Sequence, residues 1–153
     1  MTNMNNEQLS GILSLVSKIH AETVAFLKEE LAANGLPDFT TSHGNILYRL
    51  SKAETLSMTK IARMIHRDKS TATVLVNKLE RFGLVKRIRC KDDNRKTLLM
   101  LTEKGAEYNE ATANISKRLI DRCYQGFSQA DKEKAFELLT RISDNFSNIQ
   151  QEE

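Results

Sequence analysis

Residues 69–85 read KSTATVLVNKLERFGLV, and this stretch carries most of the information about the fold. Its apolar residues recur at the helical steps of three and four, at Ala72, Leu75, Val76, Leu79 and Phe82. Gly83 suits the end of a helix, because glycine tolerates the left-handed conformation found there. We therefore predict a helix over residues 70–82. Its outward side carries Ser70, Thr71, Thr73, Val74, Asn77, Lys78 and Arg81.

The residues before this helix predict a shorter helix and a turn. Thr59 suits the N-cap of the shorter helix, and apolar residues at helical spacing follow it. Residues 67–69 then interrupt the pattern as a tight turn. Either Asp68 or Ser70 can cap the second helix.

Two apolar and basic segments follow Gly83. Residues 84–89 and 97–101 flank a polar turn at residues 91–94, which predicts a β-hairpin with a charged tip. A short helix, a tight turn, a second helix and a basic hairpin are typical of a winged helix-turn-helix. We therefore predict a mainly α fold, an α+β winged helix with long helices at both ends.

An amphipathic helix is predicted at the N-terminal end. Apolar residues recur at helical steps from Leu9 to Leu31, and Gly35 followed by Pro37 indicates where this helix stops. A shorter helix over residues 41–51 is predicted to follow, burying Ile46, Leu47 and Leu50.

Two more amphipathic helices are predicted at the C-terminal end. Thr102 opens the first, and Ser128 with Asp131 is close to a capping box for the second. One winged module cannot bury all of these apolar faces, so we expect the terminal helices to pack together in a homodimer. The predicted organisation is residues 1–36 for dimerisation, 37–101 for DNA binding and 102–153 for dimerisation.

Positive charge is concentrated in the predicted winged module. Residues 58–96 contain twelve Lys or Arg and four Asp or Glu, a net charge of +8, whereas the rest of the chain carries −5. A cationic surface on an otherwise mildly acidic protein is expected where a protein meets a polyanion.

Other classes of protein find little support in the sequence. It contains no apolar run of about 18 residues and no secretion signal, so we predict no membrane partner and a cytoplasmic location. Cys90 and Cys123 have no metal-ligand spacing, and no P-loop, GxGxxG, GxSxG or HExxH motif is present. We therefore predict a protein that is not an enzyme and has no metal or cofactor.

Each outward residue of the predicted recognition helix has an expected partner on DNA. Ser70, Thr71 and Thr73 can donate to or accept from bases, and Asn77 can pair with adenine through two hydrogen bonds. Val74 offers only an apolar contact, which suits a thymine methyl group. The basic residues of this helix are expected to hold phosphates, namely Lys69, Lys78 and Arg81.

The hairpin tip is expected to contact the neighbouring groove. Arg95 is long enough to enter the minor groove, and Asp93 can orient it through an ion pair. The other basic residues of the hairpin are expected to be phosphate ligands, namely Lys86, Arg87, Arg89, Lys91 and Lys96.

The sequence resembles the MarR family of bacterial transcription regulators over nearly its whole length. Residues 69–85 are similar to the family's KSTVTRLVDRLEEKGLV, residues 93–95 match its wing motif Asp-x-Arg, and residues 101–105 match its LTEKG. The resemblance implies a homodimer on a pseudo-palindromic operator in double-stranded DNA, usually as a repressor. A small molecule or an oxidant commonly releases such proteins.

The chain departs from the family at two places. Val74 replaces a frequent arginine, and His43 with Gly44 replaces a frequent glutamine and a bulky residue near the family's ligand crevice. Candidate contacts to a small aromatic effector are His20, His43, Ile46, Leu47 and Tyr108, each of which can equally be a packing residue. Cys90 lies among basic residues and can be a redox site or simply a small strand residue. The alternative function is a winged-helix module that binds protein or RNA without sensing a small molecule.

Overall fold

The computed structural model describes residues 5–90, 93 and 96–149. Residues 148 and 149 are described by their backbone alone. Within these residues the elements are α1 (Asn6–Ala33), α2 (Thr41–Ser51), β1 (Leu56–Ser57), α3 (Met58–Met64), α4 (Lys69–Arg81), β2 (Val85–Arg89), β3 (Thr97–Leu101), α5 (Glu103–Cys123) and α6 (Gln129–Ile149). The contacts divide the chain into two units, residues 1–116 and 117–153, and each is described by itself. The predicted mainly α winged-helix fold is confirmed.

Helix α1 begins with a capping box and ends where the sequence predicts. Asn5 and Gln8 exchange backbone-to-side-chain hydrogen bonds of 2.8 and 3.0 Å at its start. Gly35 adopts φ +65°, which ends the helix with little strain because glycine lacks a Cβ. Of its apolar residues only Leu27 and Leu31 are buried within the chain.

The helix-turn-helix begins earlier than predicted. The N-cap of α3 is Ser57, whose hydroxyl accepts from the Lys60 N–H at 3.2 Å, so the prediction of Thr59 as the cap was wrong. The reason is that Ser57 also ends strand β1, where the backbone is already extended. The left-handed residue of the turn is His66, with φ 54°, before Asp68 caps α4.

The predicted hairpin is confirmed and gains a third strand. Strands β2 and β3 pair antiparallel with Val85 opposite Leu101 and Arg89 opposite Thr97. The short strand β1 pairs with the other edge of β3, so the order is β1-β3-β2. At two residues, β1 is too short to leave a periodic signal in the sequence.

The core of the first unit lies among α2, α3, α4 and the sheet. Its most completely buried large side chains, with less than 2% exposure, are Ile46, Leu47, Leu50, Ile61, Val76, Leu79, Val85 and Leu99. The helical members of this set are residues that the apolar periodicity of the sequence places on the inward sides of the helices. The outward side of α4 is thereby fixed.

The first turn of α5 packs directly on the start of the hairpin. Thr102 donates its N–H to the Leu84 carbonyl at 3.1 Å, and its hydroxyl accepts from the Gly105 N–H at 3.0 Å. A Cβ at Gly105 would lie 2.0 Å from the Leu84 carbonyl oxygen. Only glycine therefore permits this close approach, which fixes the start of α5 against the residues that join α4 to β2.

The second unit contains the end of α5 and the whole of α6. The predicted capping box is confirmed, since the Ser128 N–H donates to the Asp131 carboxylate at 2.9 Å and the Asp131 N–H to the Ser128 hydroxyl at 3.2 Å. Among its described side chains, α6 buries none. In the part of the chain that the structure covers, every helix is too short or too polar to cross a membrane.

Candidate nucleic-acid interface

The outward side of α4 is a surface of small polar residues around one apolar residue. Ser70, Thr71 and Asn77 are exposed and Thr73 is half-buried, while Val74 is 66% exposed. The inward Ala72, Val76 and Leu79 are completely buried, so α4 cannot rotate without exposing its core side. The exposed side is therefore held in a fixed orientation.

Asp68 controls the hydroxyl groups at the start of α4. One of its carboxylate oxygens accepts from the Thr71 N–H at 2.8 Å and from the Ser70 hydroxyl, and the other accepts from the Thr71 hydroxyl at 2.6 Å. These bonds, the one from Ser70 first, hold the pKa of Asp68 well below its ordinary value. Because a carboxylate can only accept, Ser70 and Thr71 have committed their protons and turn only lone pairs outward.

The hydroxyl group of Thr73 also donates its proton within the protein. Its hydroxyl donates to the Lys69 carbonyl at 2.7 Å, so its outward side can also only accept. The sequence indicates three hydroxyl groups that can donate or accept. In the free protein all three are acceptors.

Lys78 is engaged within the protein. Its ammonium donates to the Asp38 carbonyl at 2.9 Å and lies 5.2 Å from the centre of the Phe39 ring. The side chain is half-buried. It thereby ties α4 to residues 34–40, which connect α1 to α2. The predicted phosphate contact would require this side chain to leave both partners.

Arg87 of β2 also contacts α4. Its Nε donates to the Glu80 carboxylate at 3.0 Å, and a terminal nitrogen donates to the side-chain oxygen of Asn77. Its neighbours Lys86 and Arg89 on β2 are exposed. Arg81 of α4, also exposed, lines with Asn77 and Glu80 an open groove of about 660 Å³.

The tip of the hairpin, between β2 and β3, is described only in part. Lys96 is exposed, with its ammonium 3.9 Å from the Asp93 carboxylate, and its carbonyl accepts from the Cys90 N–H at 2.9 Å. Lys91 and Arg95 lie outside the described residues, and so does the predicted pairing of Asp93 with Arg95.

The predicted effector residues fall into two groups. Phe39 brings His43 and Tyr108 together, with ring centres 5.1 Å and 5.3 Å from its own. Ile46 and Leu47 are buried core residues, whereas His20 is exposed on α1.

His43 is a buried histidine with one unused nitrogen. Its Nδ1 accepts from the Thr40 N–H at 3.0 Å, and its Nε2 has no partner among the described atoms. Burial, and then the charge of Lys78, lower the pKa of His43 to about 4, against the opposing effect of Asp38. At neutral pH the ring is therefore uncharged and carries its proton on Nε2.

Tyr108 has a hydroxyl directed at the connector between α1 and α2. It donates to the Pro37 carbonyl at 3.3 Å, and burial, with the charge of Asp38, raises the pKa of Tyr108 to about 12. An added Cβ at Gly44 would meet none of the described atoms within 4 Å, so this glycine does not serve close packing among the residues that the structure describes.

Comparison with known proteins identifies the family. A model of the MarR family matches residues 39–97, which span the helix-turn-helix and part of the hairpin. The HTH-type transcriptional regulator SarZ of Staphylococcus haemolyticus is 30% identical over 112 residues, which are 71% of this chain and 74% of that relative. The chain belongs to the MarR family.

Two further comparisons bear on this MarR family protein. The uncharacterized HTH-type transcriptional regulator YdgJ of Bacillus subtilis is 28% identical over 105 residues; the match covers 69% of this chain and 64% of YdgJ. A solved structure of a mutant MarR from E. coli complexed with operator DNA has a TM-score of 0.71 at 19% identity, covering 92% of this chain and 99% of that one. At this identity the similarity concerns the fold alone.

Two groups of site residues in this MarR family protein could not be recognised from periodicity or motifs. Glu80 escaped notice as a partner of Arg87, although its three-residue spacing from Asn77 places both on one side of a helix. Phe39 and Asp38 escaped notice because they lie in a short connector without periodicity. An aromatic residue between two predicted helices was the available signal.

Proposed function

We propose that this MarR family protein is a sequence-specific, double-stranded DNA-binding transcription regulator that acts as a homodimer. The observation that carries the proposal is the outward side of α4, where Ser70, Thr71, Val74 and Asn77 are exposed. In a winged helix-turn-helix this helix enters the major groove. An exposed valine among hydroxyl and amide groups suits base edges, since thymine offers a methyl group there.

The distribution of charge supports the same proposal. Residues 58–96 carry +8, and Lys69, Arg81, Arg89 and Lys96 are exposed at or near α4 and the hairpin. We propose these as phosphate ligands, which position a protein on DNA without reading its sequence. Lys78 and Arg87 hold α4 from within the protein, so the proposed phosphate set is smaller than the sequence indicates.

Two uncovered apolar surfaces support the homodimer. In the first unit α1 exposes Leu9, Leu13, Val16 and Ile19. In the second unit α6 exposes Phe136, Leu139 and Phe146. Exposed side chains of this size at helical spacing favour burial against a partner. We propose that a second copy of the chain covers them, because that arrangement presents two copies of α4 to a pseudo-palindromic site.

A binding selection tests the DNA proposal. Full-length protein is mixed with a random duplex pool, and the bound sequences are amplified and read; we expect a pseudo-palindrome with half-sites about 34 Å apart. With six to ten phosphate contacts, affinity should fall by about 10³ to 10⁵ between 50 and 200 mM salt. A preference for double-stranded RNA or single strands over duplex DNA would favour the alternative of an RNA- or protein-binding module. Repression and the cytoplasmic location stay predictions.

We also propose regulation by a small aromatic acid, with His43 and Tyr108 as its first contacts. The unused Nε2–H of His43 is a buried donor, and buried donors normally have an acceptor. A carboxylate or phenolate oxygen would supply one. A thermal-shift screen of phenolic acids should find a compound that stabilises the wild type and has a weaker effect on His43→Gln. Stabilisation only by peroxide, and its loss on replacing Cys90, would favour redox control instead.

A further inference from the structure

Arg87 joins the hairpin to two side chains of the C-terminal half of α4, Asn77 and Glu80. Its Nε bonds to the Glu80 carboxylate at 3.0 Å, and its terminal nitrogen bonds to the Asn77 side-chain oxygen. Asn77 and Glu80 are three residues apart, so both lie on the side of α4 that faces Arg87. A single planar guanidinium therefore holds two side chains of α4 in a fixed relation.

The chemistry of arginine decides which way the Asn77 carboxamide points. A guanidinium has only donors, and a carboxamide has an oxygen acceptor and an NH₂ donor. The oxygen must therefore face Arg87, because the reversed orientation would set donors against donors. Asn77 is exposed, and no described residue accepts a hydrogen bond from its NH₂ group. That NH₂ group is the part of Asn77 left to meet DNA.

We propose that Arg87 is a positioning residue for base recognition and that Asn77 reads a hydrogen-bond acceptor on guanine. The inference rests on the proposed DNA binding. In the familiar pairing of asparagine with adenine, the carboxamide oxygen accepts from the N6 amino group. In this protein that oxygen already accepts from a cation, so the adenine pairing is disfavoured. Guanine presents two adjacent acceptors in the major groove, N7 and O6, which suit the free NH₂ group, whereas adenine places an amino donor beside its N7 that would oppose the NH₂ group.

The first arm of the test maps the contact atom on DNA. The full-length wild type is bound to its selected duplex, and to copies in which the N7 of one purine at a time is replaced by carbon. We expect roughly a tenfold loss of affinity at one guanine in each half-site, the size of one good base contact. The Asn77→Asp variant identifies that guanine, because its carboxylate still accepts from Arg87 but turns an oxygen outward. The affinity of Asn77→Asp for the duplex should be the same with and without the N7 of that guanine.

The second arm tests the positioning role of Arg87. Arg87→Lys keeps the charge but loses the planar fork, so it cannot hold Asn77 and Glu80 together. We expect its N7 sensitivity to fall from about tenfold to about twofold, with an unchanged salt dependence because the charge is unchanged. The matched control is Arg49→Lys in α2, the same replacement at an arginine outside the proposed DNA interface whose Nε donates to the Asn45 side-chain oxygen at 3.2 Å; it should retain the full N7 sensitivity.

Each outcome decides the proposal. Full N7 sensitivity in Arg87→Lys, or an adenine as the base contacted by Asn77, overturns it and leaves DNA binding intact. An equal loss on all duplexes, with a lowered melting temperature, assigns Arg87 a purely structural role and overturns it as well. A wild type that selects no duplex shows that the proposed function is wrong, and the inference fails with it.

Discussion

At the scale of single residues, the hydrogen bonds made inside the protein decide what α4 can offer to a partner. Ser70 and Thr71 have given their protons to Asp68, and Thr73 has given its proton to a backbone carbonyl. These hydroxyl groups therefore suit the amino groups of adenine or cytosine, which are the donors in the major groove. They suit phosphates poorly, since phosphate oxygens also only accept.

The first residue-scale prediction concerns Asp68→Asn. Asparagine is as good an N-cap as aspartate, so the helix start should persist. Its NH₂ group will donate to one of the two hydroxyls and release that hydroxyl's proton outward. Removing one exocyclic amino group at a time from the duplex should lower the affinity of the wild type about tenfold at one position. The affinity of the variant should fall only about twofold at that position. Glu54→Gln removes the same charge at another exposed site of the first unit and should behave as the wild type. Equal sensitivity of Asp68→Asn and wild type would contradict the assignment.

The second residue-scale prediction concerns the pH dependence of stability. His43 binds a proton at its ordinary pKa of 6.5 in the unfolded chain but only near pKa 4 in the folded one. Between these values the unfolded state binds more protons, so acidification favours unfolding. Lowering the pH from 7 to 5 should decrease the free energy of unfolding by about 2 kcal/mol through the protonation of His43 in the unfolded chain. Urea unfolding at both pH values should show this loss in the wild type and not in His43→Gln, whose side chain suits the same capping position.

At the scale of elements, two helical glycines provide a matched pair for the third prediction. A methyl group at Gly105 would collide with the Leu84 carbonyl, whereas one at Gly44 would meet nothing within 4 Å. Gly105→Ala should therefore destabilise the protein by at least about 2 kcal/mol, because the start of α5 must move away from the hairpin. Gly44→Ala should stabilise it by up to about 1 kcal/mol through helix propensity. Thermal unfolding of both variants measures the difference, and equal effects would show that the close approach of α5 is not rigid.

The elements also show how far sequence reasoning extends. The long helices and the 41–51 helix follow from apolar periodicity and from helix caps and stops, and the hairpin follows from two apolar and basic segments around a polar turn. Strand β1 and the Ser57 cap could not be predicted, since two residues paired with a distant strand leave no local pattern. The outward residues of α4 were predictable, but their hydrogen-bond polarity was not. For Asn77 that polarity depends on Arg87, which lies ten residues away along the chain and reaches Asn77 only in the folded protein.

At the scale of the first unit as a whole, the connector between α1 and α2 contacts both α4 and α5. Lys78 of α4 bonds to the Asp38 carbonyl, and Tyr108 of α5 bonds to the Pro37 carbonyl. Phe39 packs edge-on against Phe82 at 5.2 Å, directly after α4. The connector therefore links α4 and α5 through contacts at its neighbouring residues Pro37 and Asp38. An effector at His43, beside the same ring, would act on the same contacts.

The last prediction concerns the whole molecule on its operator. Phe136 is 63% exposed on α6, and a charge there would be buried in the proposed dimer. Phe136→Glu should raise the dimer dissociation constant by on the order of a hundredfold, because the two-fold axis places the charge in the interface twice. Asn145→Glu adds the same charge nine residues along α6, about half a turn round the helix from Phe136, and serves as the control. Sedimentation equilibrium measures the association. The weakened dimer should bind a full operator little better than a half-site, since linkage of two recognition helices supplies the added affinity. A dimeric Phe136→Glu protein with wild-type affinity for the full operator would exclude this side of α6 from the interface.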